Sequence, residues 1–214
     1  MKQPPLTTGI DEAGRGPILG PMIIACVSIS EEAATELKKL GIQDSKKFGS
    51  GHKAHTKRCQ LLSAIYTYAQ HVSYTIIDVG LIDHYTHQGK LNLLEQEQAL
   101  TLLQKAPASQ NIIADGYKIF SPLQKHFSHL QAVNHGESYH PAVAAASMIA
   151  KAKRDELWLD IVKRYKDEFG DLIGPGWGYF NLPTKKFLFA YHRKYGQPPP
   201  EGRKSWPWDF LHLK

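Results

Sequence analysis

The spacing of apolar residues divides the chain into short strand-like runs and longer helical segments. Alternating or continuous apolar runs of five to ten residues predict strands, and longer runs with a helical repeat predict helices. The predicted strands are Thr7–Glu12, Pro21–Ser30, His71–Val79, Asn111–Gly116 and Leu130–Val133. The predicted helices are Glu31–Leu40, Ala54–Gln70, Leu81–His84, Leu91–Leu103, Pro141–Tyr165 and Thr184–Tyr195. An antiparallel strand trio followed by alternating helices and parallel strands predicts an α/β mixed sheet flanked by helices, with a helical C-terminal region.

The longest predicted helix has a small-sided first half. Alanines occupy positions 142, 144, 145, 146 and 150, with Ser147 among them, and the second half is charged. Small side chains let a helix approach its neighbour closely. We therefore expect the start of this helix to pack directly on the sheet.

Composition and charge narrow the classes of partner. The 214 residues suit one domain with a small appendage, and they carry a net charge of +6 with a pI of about 9.2. This balance favours a polyanionic partner. Cys26 and Cys59 match no metal-binding spacing and are too few for a disulfide framework, so a reducing cytosol is expected. No segment has the pattern of a signal peptide or a membrane span.

Two adjacent carboxylates end the first predicted strand. Asp11 and Glu12 lead into Gly14-Arg15-Gly16, a glycine-flanked arginine. Carboxylate oxygens suit Mg²⁺, and glycines let a backbone approach a ligand closely. Arg15-Gly16 stands where a Walker loop needs Lys-Ser/Thr, and the third glycine of a dinucleotide fingerprint is missing. The residues therefore predict either a cation site or an acidic turn between two core strands.

Two further acids follow apolar strands. Asp115 ends the run Asn111–Asp115, and Glu137 follows Leu130–Val133 just before the longest helix. Each has a simpler interpretation, as a turn residue before Gly116 or as an acid at a helix start. Two-metal phosphoryl chemistry requires several acids around one site, and four acids at strand ends or a helix start fit this requirement.

The polar segment Asp44-Ser45-Lys46 is a weaker candidate. Its hydroxyl and ammonium are suited to binding phosphate, although an ordinary solvated turn explains the same residues.

Together these motifs resemble the ribonuclease HII family, also called type 2 ribonuclease H. The matching segments are Gly9–Gly16 with Gly20-Pro21, Asp44–Lys47, Ile113–Gly116, Gly136-Glu137, Ala144–Lys151 and Arg154-Asp155. Their order and spacing cover roughly residues 8 to 196.

The resemblance implies a ribonuclease H-like fold and an activity. The family cuts the RNA strand of RNA–DNA hybrids and incises duplex DNA 5′ to an embedded ribonucleotide, with Mg²⁺ or Mn²⁺ in a two-metal mechanism. By resemblance, the catalytic and metal-binding residues are Asp11, Glu12, Asp115 and Glu137. By the same resemblance, the substrate-binding residues are Gly14, Arg15, Gly16, Asp44, Ser45, Lys46 and Tyr179, and the glycine–arginine loop senses the 2′-hydroxyl.

The resemblance also implies how the molecule is organised. It predicts a catalytic domain over residues 1–165 and a substrate-contacting helical and loop region over 166–214. A monomer in the cytoplasm is expected, with roles in DNA replication and repair. The tail from Trp206 to Phe210 is expected to pack back on the domain.

The sequence departs from the family pattern at two positions. The fourth acid is usually aspartate in type HII and glutamate in the sister type HIII, and here it is Glu137. Type HIII carries an N-terminal extension, whereas here the first acid is residue 11, and the Gly-Arg-Gly loop also favours HII. The family's deoxyribose-stacking tyrosine lies in a Gly-Tyr-x-Thr stretch. Here Leu182 has the expected spacing from Thr184, so Tyr179 is only a candidate.

Three other functions compete with this interpretation. One is a type HIII-like hybrid nuclease that does not incise at single ribonucleotides. A second is a basic nucleic-acid-binding module without catalysis, for which four acids facing a polyanion have no use. A third is another nuclease of the same broad fold, of the integrase or resolvase kind.

Overall fold

The computed structural model describes residues 5–42 and 52–208, and side-chain surroundings for all of these except residues 52–59. The strands are β1 Leu6–Ala13, β2 Met22–Ser30, β3 His71–Ile77, β4 Asn111–Asp115 and β5 Leu130–Val133. The helices are α1 Glu31–Lys39, α2 His52–Tyr68, α3 Val79–His87, α4 Leu91–Lys105, α5 Tyr117–Phe120, α6 Gly136–Tyr139, α7 Pro141–Phe169 and α8 Leu182–Tyr195. In this described part, no helix has both the length and the apolar character needed to cross a membrane.

The five strands form one mixed sheet in the order β3-β2-β1-β4-β5. Strand β1 pairs in parallel with β4, with Thr7 opposite Asn111 and Ile10 opposite Ala114. Strand β4 pairs in parallel with β5, with Asp115 opposite Val133. The predicted α/β mixed sheet flanked by helices is confirmed. Because β1, β4 and β5 run in the same direction, their C-terminal ends meet at one edge of the sheet.

The hydrophobic pattern explains which strands lie inside the sheet. All nine residues of β2, in the run Met22–Ser30, are buried. The first six residues of β1 are also buried, and both strands have a neighbour on each side. The edge strand β5 instead alternates between buried and more exposed positions. Continuous burial therefore marks these two inner strands, as a continuous apolar run in β2 and with the buried polar residues Thr7 and Thr8 in β1, whereas alternation marks a half-covered edge.

Several elements end beyond the predicted boundaries. Helix α7 continues past Tyr165 to Phe169 because both rings pack in an aromatic cluster, with their centroids 6.2 Å apart. Helix α8 begins at Leu182, with Asn181 as its N-cap accepting a hydrogen bond from the Thr184 amide at 3.2 Å. Helix α3 is nine residues long instead of a single turn. The short helices α5 and α6 lie in segments without a hydrophobic repeat, which is why periodicity does not predict them.

The chain forms two compact units that are interleaved in sequence. The first contains the chain up to Ala13 with residues 24–75 and 92–151, and the second contains residues 14–23, 76–91 and 152 onward. The sequence predicts instead one boundary after residue 165. The assignment of catalytic and substrate-contacting roles to residues 1–165 and 166–214 stays a prediction.

The second unit has its own aromatic core. Its buried members are Ile18, Leu19, Trp158, Ile161, Phe169, Ile173, Phe187, Leu188 and Tyr191. Trp206 and Trp208 are partly buried and pack against this cluster. The expectation that the tail packs on the domain is therefore confirmed as far as Trp208, and Asp209 and Phe210 lie outside the described residues.

Candidate active site

Two of the predicted acids are brought together by the pairing of β1 with β4. Ile10 lies opposite Ala114 in the parallel register, so the next residues along the two strands, Asp11 and Asp115, are neighbours at the sheet edge. Asp11 is buried, and its carboxylate accepts a hydrogen bond of 2.8 Å from the Glu12 amide. Glu12 is half-buried and lies one residue before the end of β1. Both acids therefore lie inside the strand, where neighbouring side chains point to opposite faces, yet the charge of Glu12 still acts on Asp11.

The electrostatics of Asp11 reflect this crowding. Burial and the negative charge of Glu12 raise the pKa of Asp11 well above its usual range, and Asp115 raises it further. A side-chain hydrogen bond from Ser147 on α7 partly opposes the increase. The ionised form of Asp11 is therefore disfavoured by its neighbours, and a bound cation would stabilise it.

Glu137 follows the third of these parallel strands. It lies in α6, directly after β5, and is 7% exposed. His135 precedes this helix with a left-handed φ of 60°. A Cβ atom on Gly136 would lie 3.3 Å from the Cβ of Asp115 and 2.9 Å from a methyl group of Val143. Gly136 is therefore needed for close packing beside Asp115, and it places Glu137 in the neighbourhood of that acid.

Helix α7 begins in direct contact with β1. A Cβ atom on Gly9 would lie 2.2 Å from the backbone carbon of Ala142, so only glycine fits at this position. The five alanines of the first half of α7 are fully buried, and Ser147 among them is half-buried and forms a side-chain hydrogen bond with Asp11. Strand β1 and helix α7 thus hold the first acid from two sides.

The acids suit a hard divalent cation by their chemistry. Asp11, Glu12, Asp115 and Glu137 offer only carboxylate oxygens, the ligands that Mg²⁺ and Mn²⁺ prefer. Among residues 5–42 and 52–208, however, no group of three or more His, Cys, Asp or Glu side chains is arranged to hold a metal ion. The fit depends on the donor chemistry and on the repulsion at Asp11, not on a preformed cage.

The glycine–arginine loop follows in the second unit. Gly14 is buried with a left-handed φ of 88°, and a Cβ atom there would lie 2.8 Å from the Pro21 carbonyl oxygen. Arg15 is half-buried and Gly16 is exposed. The loop therefore turns at Gly14 and presents Gly16 to solvent.

Tyr179 lies beside this loop. A Cβ atom on Gly16 would stand 3.9 Å from the Tyr179 ring, which is the nearest group within 4 Å. The preceding residue, Gly178, accepts backbone hydrogen bonds from the Ile18 and Leu19 amides at 2.8 and 3.1 Å. Leu182, the residue with the family's usual spacing, is instead 65% exposed at the start of α8. This geometry favours position 179 over position 182 as the place of an aromatic ring beside Gly16.

A buried arginine supports the same region. Arg154 is 2% exposed, and its guanidinium carbon lies 5.4 Å from the ring centre of Trp158 and 5.9 Å from that of Tyr179. It donates a 3.3 Å hydrogen bond to the Leu19 carbonyl. Burial lowers the pKa of Arg154, while Tyr179 and Asp155 raise it. Arg154 therefore packs under Tyr179 from inside the second unit.

Three predicted substrate-binding residues lie outside the described part of the chain, and three residues near the site were not predicted to act there. Asp44, Ser45 and Lys46 lie outside the described residues. The sequence does not identify Ser147 as a partner of Asp11. It places Arg154 on a solvated, charged helix face, which is wrong because Arg154 is buried, and it does not predict the burial of Arg203. The signal for Ser147 was a lone hydroxyl in an alanine-rich helix face. Arg203 lies in a basic, aromatic tail that gave no indication of burial.

Comparison with known proteins identifies the family of this chain. The family model described as Ribonuclease HII matches residues 8–199. Ribonuclease HII of Pyrococcus furiosus is 33% identical over 92% of this chain and 87% of its own length. Ribonuclease HII of Pyrobaculum neutrophilum is 35% identical over 96% of both chains.

Solved structures give the same fold. Ribonuclease H2 from Pyrococcus horikoshii OT3 superposes with a TM-score of 0.78 at 27% identity, covering 94% of this chain and 93% of that chain. A ribonuclease HIII in complex with Mn²⁺ has a TM-score of 0.74 at 20% identity, which shows the fold alone, and 67% of that chain is covered. The predicted ribonuclease H-like fold is confirmed. The chain belongs to the ribonuclease HII family and is a nuclease.

Proposed function

We propose that this enzyme hydrolyses the RNA strand of RNA–DNA hybrids and incises duplex DNA on the 5′ side of an embedded ribonucleotide. The observation that carries the proposal is the register of three parallel strands. It makes Asp11 and Asp115 neighbours, and the third strand leads directly into Glu137. Family membership supports the activity on hybrids.

The acids are proposed to hold the catalytic metal. A pair of divalent ions, when bound, supplies an activated water and stabilises the leaving 3′-oxygen of an in-line displacement. Asp11, Glu12, Asp115 and Glu137 provide the carboxylates for Mg²⁺ or Mn²⁺. Ser147 orients Asp11 by its hydrogen bond. A complex with Mn²⁺ among the solved structures of similar fold, that of a ribonuclease HIII, supports a divalent cofactor.

The glycine–arginine loop is proposed to recognise the ribose. Its 2′-hydroxyl is the group that distinguishes RNA from DNA at a single nucleotide. Gly16 is exposed and carries no side chain, so backbone groups of the loop can reach that hydroxyl. Arg15 is suited to a neighbouring phosphate, and Tyr179, beside Gly16, to stacking on the adjacent sugar. Asp44, Ser45 and Lys46 keep their proposed role in phosphate binding.

Charge and composition suggest the setting. The net charge of +6 suits a nucleic-acid duplex, and binding that depends on it weakens as salt rises. Cys26 is a buried free thiol, in keeping with the reducing cytoplasm that we propose as its place of action. We further propose that the enzyme acts as a monomer. Membership of an enzyme family removes the non-catalytic binding module from consideration. A type HIII-like activity limited to hybrids remains the second candidate, because Glu137 stands where type HII usually has aspartate.

One experiment with four substrates tests the proposal. A duplex with one embedded ribonucleotide, an RNA–DNA hybrid, an all-DNA duplex and an all-RNA duplex are incubated with Mg²⁺, with Mn²⁺ and with a chelator. We expect cleavage of the single-ribonucleotide duplex and of the RNA–DNA hybrid, and of neither all-DNA nor all-RNA duplex. Cleavage should require Mg²⁺ or Mn²⁺. The single-ribonucleotide duplex should be cut once, on the 5′ side of the ribonucleotide. Cleavage of the hybrid without the single-ribonucleotide duplex would support the type HIII-like activity. Cleavage of all-DNA duplex would contradict the proposal.

A further inference from the structure

The glycine–arginine loop continues from Gly14-Arg15-Gly16 to Gly20, and the segment from Glu201 to Trp206 contacts nearly every residue of this Gly14–Gly20 loop. The Gly20 amide donates to the Glu201 carbonyl at 2.9 Å, and the Arg203 amide donates to the Ile18 carbonyl at 2.9 Å. Leu19 and Gly202 form an antiparallel bridge. The loop is therefore joined to a segment that lies more than 180 residues later in the chain.

The Arg203 side chain is the centre of this attachment. It is fully buried, and it donates to the carbonyls of Gly14 at 2.5 Å and Arg15 at 2.8 Å. It also donates two bonds to the Gly20 carbonyl, at 3.0 and 2.8 Å. One rigid guanidinium thus fixes three carbonyls at the two ends of the loop. A lysine ammonium is a point donor and lacks this planar fork.

Neighbouring groups hold Arg203 and the tip of the loop. The ring of Trp206 lies 4.9 Å from the guanidinium carbon, and its indole nitrogen donates to the Gly16 carbonyl at 3.2 Å. The Asp83 carboxylate accepts from the Lys204 and Ser205 amides at 2.8 and 2.9 Å, which fixes the turn after Arg203. Burial and the charge of Arg154 lower the pKa of Arg203 to about 9.

Within residues 5–42 and 52–208, no carboxylate is among the hydrogen-bond partners of the Arg203 guanidinium, although the charge of Asp83 favours its charged form. All four of its hydrogen bonds end on loop carbonyls. Burying a cation is costly unless its donors are satisfied. Arg203 therefore stabilises the one loop conformation in which these carbonyls face the guanidinium, because a loop conformation that turns them away would leave its donors without acceptors.

We propose that Arg203 is a positioning residue for ribose recognition, which acts by fixing the backbone of the Gly14–Gly20 loop, with Trp206 as its partner at Gly16. This inference rests on the ribose-sensing role proposed for that loop. Arg203 has no exposed surface with which to touch the substrate, so its effect reaches the substrate only through the loop. It extends the recognition apparatus to a segment that no catalytic motif includes.

A loop-positioning role predicts different losses on two substrates. A duplex with one ribonucleotide offers a single ribose, so the loop must meet it in one register. A continuous hybrid offers a ribose at every position of the RNA strand. Arg203→Met removes the donors and keeps a similar length, and we expect the rate at the single ribonucleotide to fall at least about tenfold more than the rate on the hybrid. KM for both substrates should change by no more than about twofold, because Arg203→Met keeps the Arg15 side chain and the other residues proposed to bind phosphate, Asp44, Ser45 and Lys46, are not part of this loop.

Controls separate positioning from folding. The quantity compared is the rate at the single ribonucleotide divided by the rate on the hybrid. Both rates are measured on one enzyme preparation, so this ratio does not depend on the folded fraction. Phe169→Leu truncates the aromatic core of the same unit without touching a loop carbonyl, and it should lower the melting temperature and leave the ratio unchanged. Arg203→Lys keeps the charge and should restore the melting temperature more than the ratio. If Arg203→Met does not fold, Trp206→Phe removes the donor to Gly16 and keeps the ring, and a smaller fall of the ratio is expected.

The outcomes are distinct. A lower ratio in Arg203→Met or in Trp206→Phe, with the Phe169→Leu ratio unchanged, supports the inference. Equal losses on both substrates, in proportion to the folded fraction, would make Arg203 purely structural and overturn it. Absence of incision at single ribonucleotides by the unmodified enzyme would instead overturn the proposed function, and the inference with it.

Discussion

The two compact units hold their functional groups in opposite ways. In the first unit, buried carboxylates stand at the ends of parallel strands, and burial together with neighbouring acids raises the pKa of Asp11. In the second unit, a buried arginine holds a loop through three carbonyls, and Arg154 lies under Tyr179. The pKa of Asp11 is set by its burial, by the charges of Glu12 and Asp115, and by hydrogen bonds from Ser147 and the Glu12 amide. The loop carbonyls, in contrast, accept hydrogen bonds from a buried cation of the protein itself.

This difference indicates that the two units depend differently on a bound metal ion. A cluster of like charges is strained until a cation binds, so the first unit should respond to metal. A loop whose carbonyls are already bonded is preorganised, so the second unit should respond little to metal. The first unit is therefore expected to hold a metal-dependent chemical centre, and the second unit a recognition loop that does not depend on metal.

The largest expected effect is the loss of an acid. Asp115→Asn should lower cleavage of all substrates at least about 10²–10³-fold, because one carboxylate for the metal is gone. Hybrid binding should be retained or become tighter, because a negative charge facing a polyanion is removed. Steady-state cleavage and fluorescence anisotropy measure the two effects.

The same variant tests the electrostatic half of the comparison. Its melting temperature without metal should be equal to or above that of the unmodified protein, since repulsion at Asp11 is relieved. Mg²⁺ should raise its melting temperature less than that of the unmodified protein. Turnover close to the unmodified rate would remove Asp115 from the site, and Asp11→Asn serves as the matched variant.

Glu137→Asp is expected to have the next largest effect. Aspartate is one methylene shorter, so its carboxylate would fall short of the metal, and a misplacement of about 1 Å can cost about 10²-fold in rate. High Mn²⁺ should restore part of the activity. Because Gly136 is fixed by close packing against Val143 and Asp115, the segment has little room to move and compensate. Cleavage at the unmodified rate by Glu137→Gln would leave Glu137 with a helix-capping role only.

Gly14→Ala should act mainly on stability. Alanine disfavours the left-handed φ of 88°, and its methyl group would lie 2.8 Å from the Pro21 carbonyl oxygen. Strain and overpacking together should lower the free energy of unfolding by about 2–4 kcal/mol, with activity falling alongside it. Chemical denaturation followed by circular dichroism measures the change. An unchanged midpoint would show that the loop is less rigid than its hydrogen bonds indicate.

Gly16→Ala should have the smallest effect on stability and a selective effect on recognition. Apart from its two chain neighbours, the added methyl group would have one group of the described residues within 4 Å, the Tyr179 ring at 3.9 Å. The free energy of unfolding should therefore change by less than about 0.5 kcal/mol. Incision at a single ribonucleotide should nevertheless fall about tenfold, since the methyl group would stand where the ribose approaches. Activity within twofold of the unmodified enzyme would remove Gly16 from ribose contact.

The sequence predicts the two regions unequally, for a physical reason. The apolar run ending in Asp115 and the β-branched segment ending in Asp11 indicate two strands, and parallel pairing then makes the acids neighbours. Local pattern and sheet geometry therefore suffice for most of the first unit. Even there, the requirement for glycine at Gly9, which lies against the backbone of Ala142, depends on a contact between residues far apart in the chain.

The second unit depends on such distant contacts almost entirely. Arg203 meets Gly14 across 189 positions, and no periodicity or motif announces that a tail arginine will be buried. The same holds for the extension of α7 to Phe169, which reflects ring packing and not helix propensity. Residues of this kind are visible only when the fold is known.

The most direct test of the division between chemistry and recognition compares two partly active variants. The rates of incision at a single embedded ribonucleotide and of hybrid cleavage are measured for Glu137→Asp and Gly16→Ala at saturating Mg²⁺. The account predicts that Glu137→Asp lowers both rates in the same proportion, and that Gly16→Ala lowers the single-ribonucleotide rate several-fold more than the hybrid rate. Equal ratios in the two variants would contradict it, because the loop would then serve the chemical step like the acids.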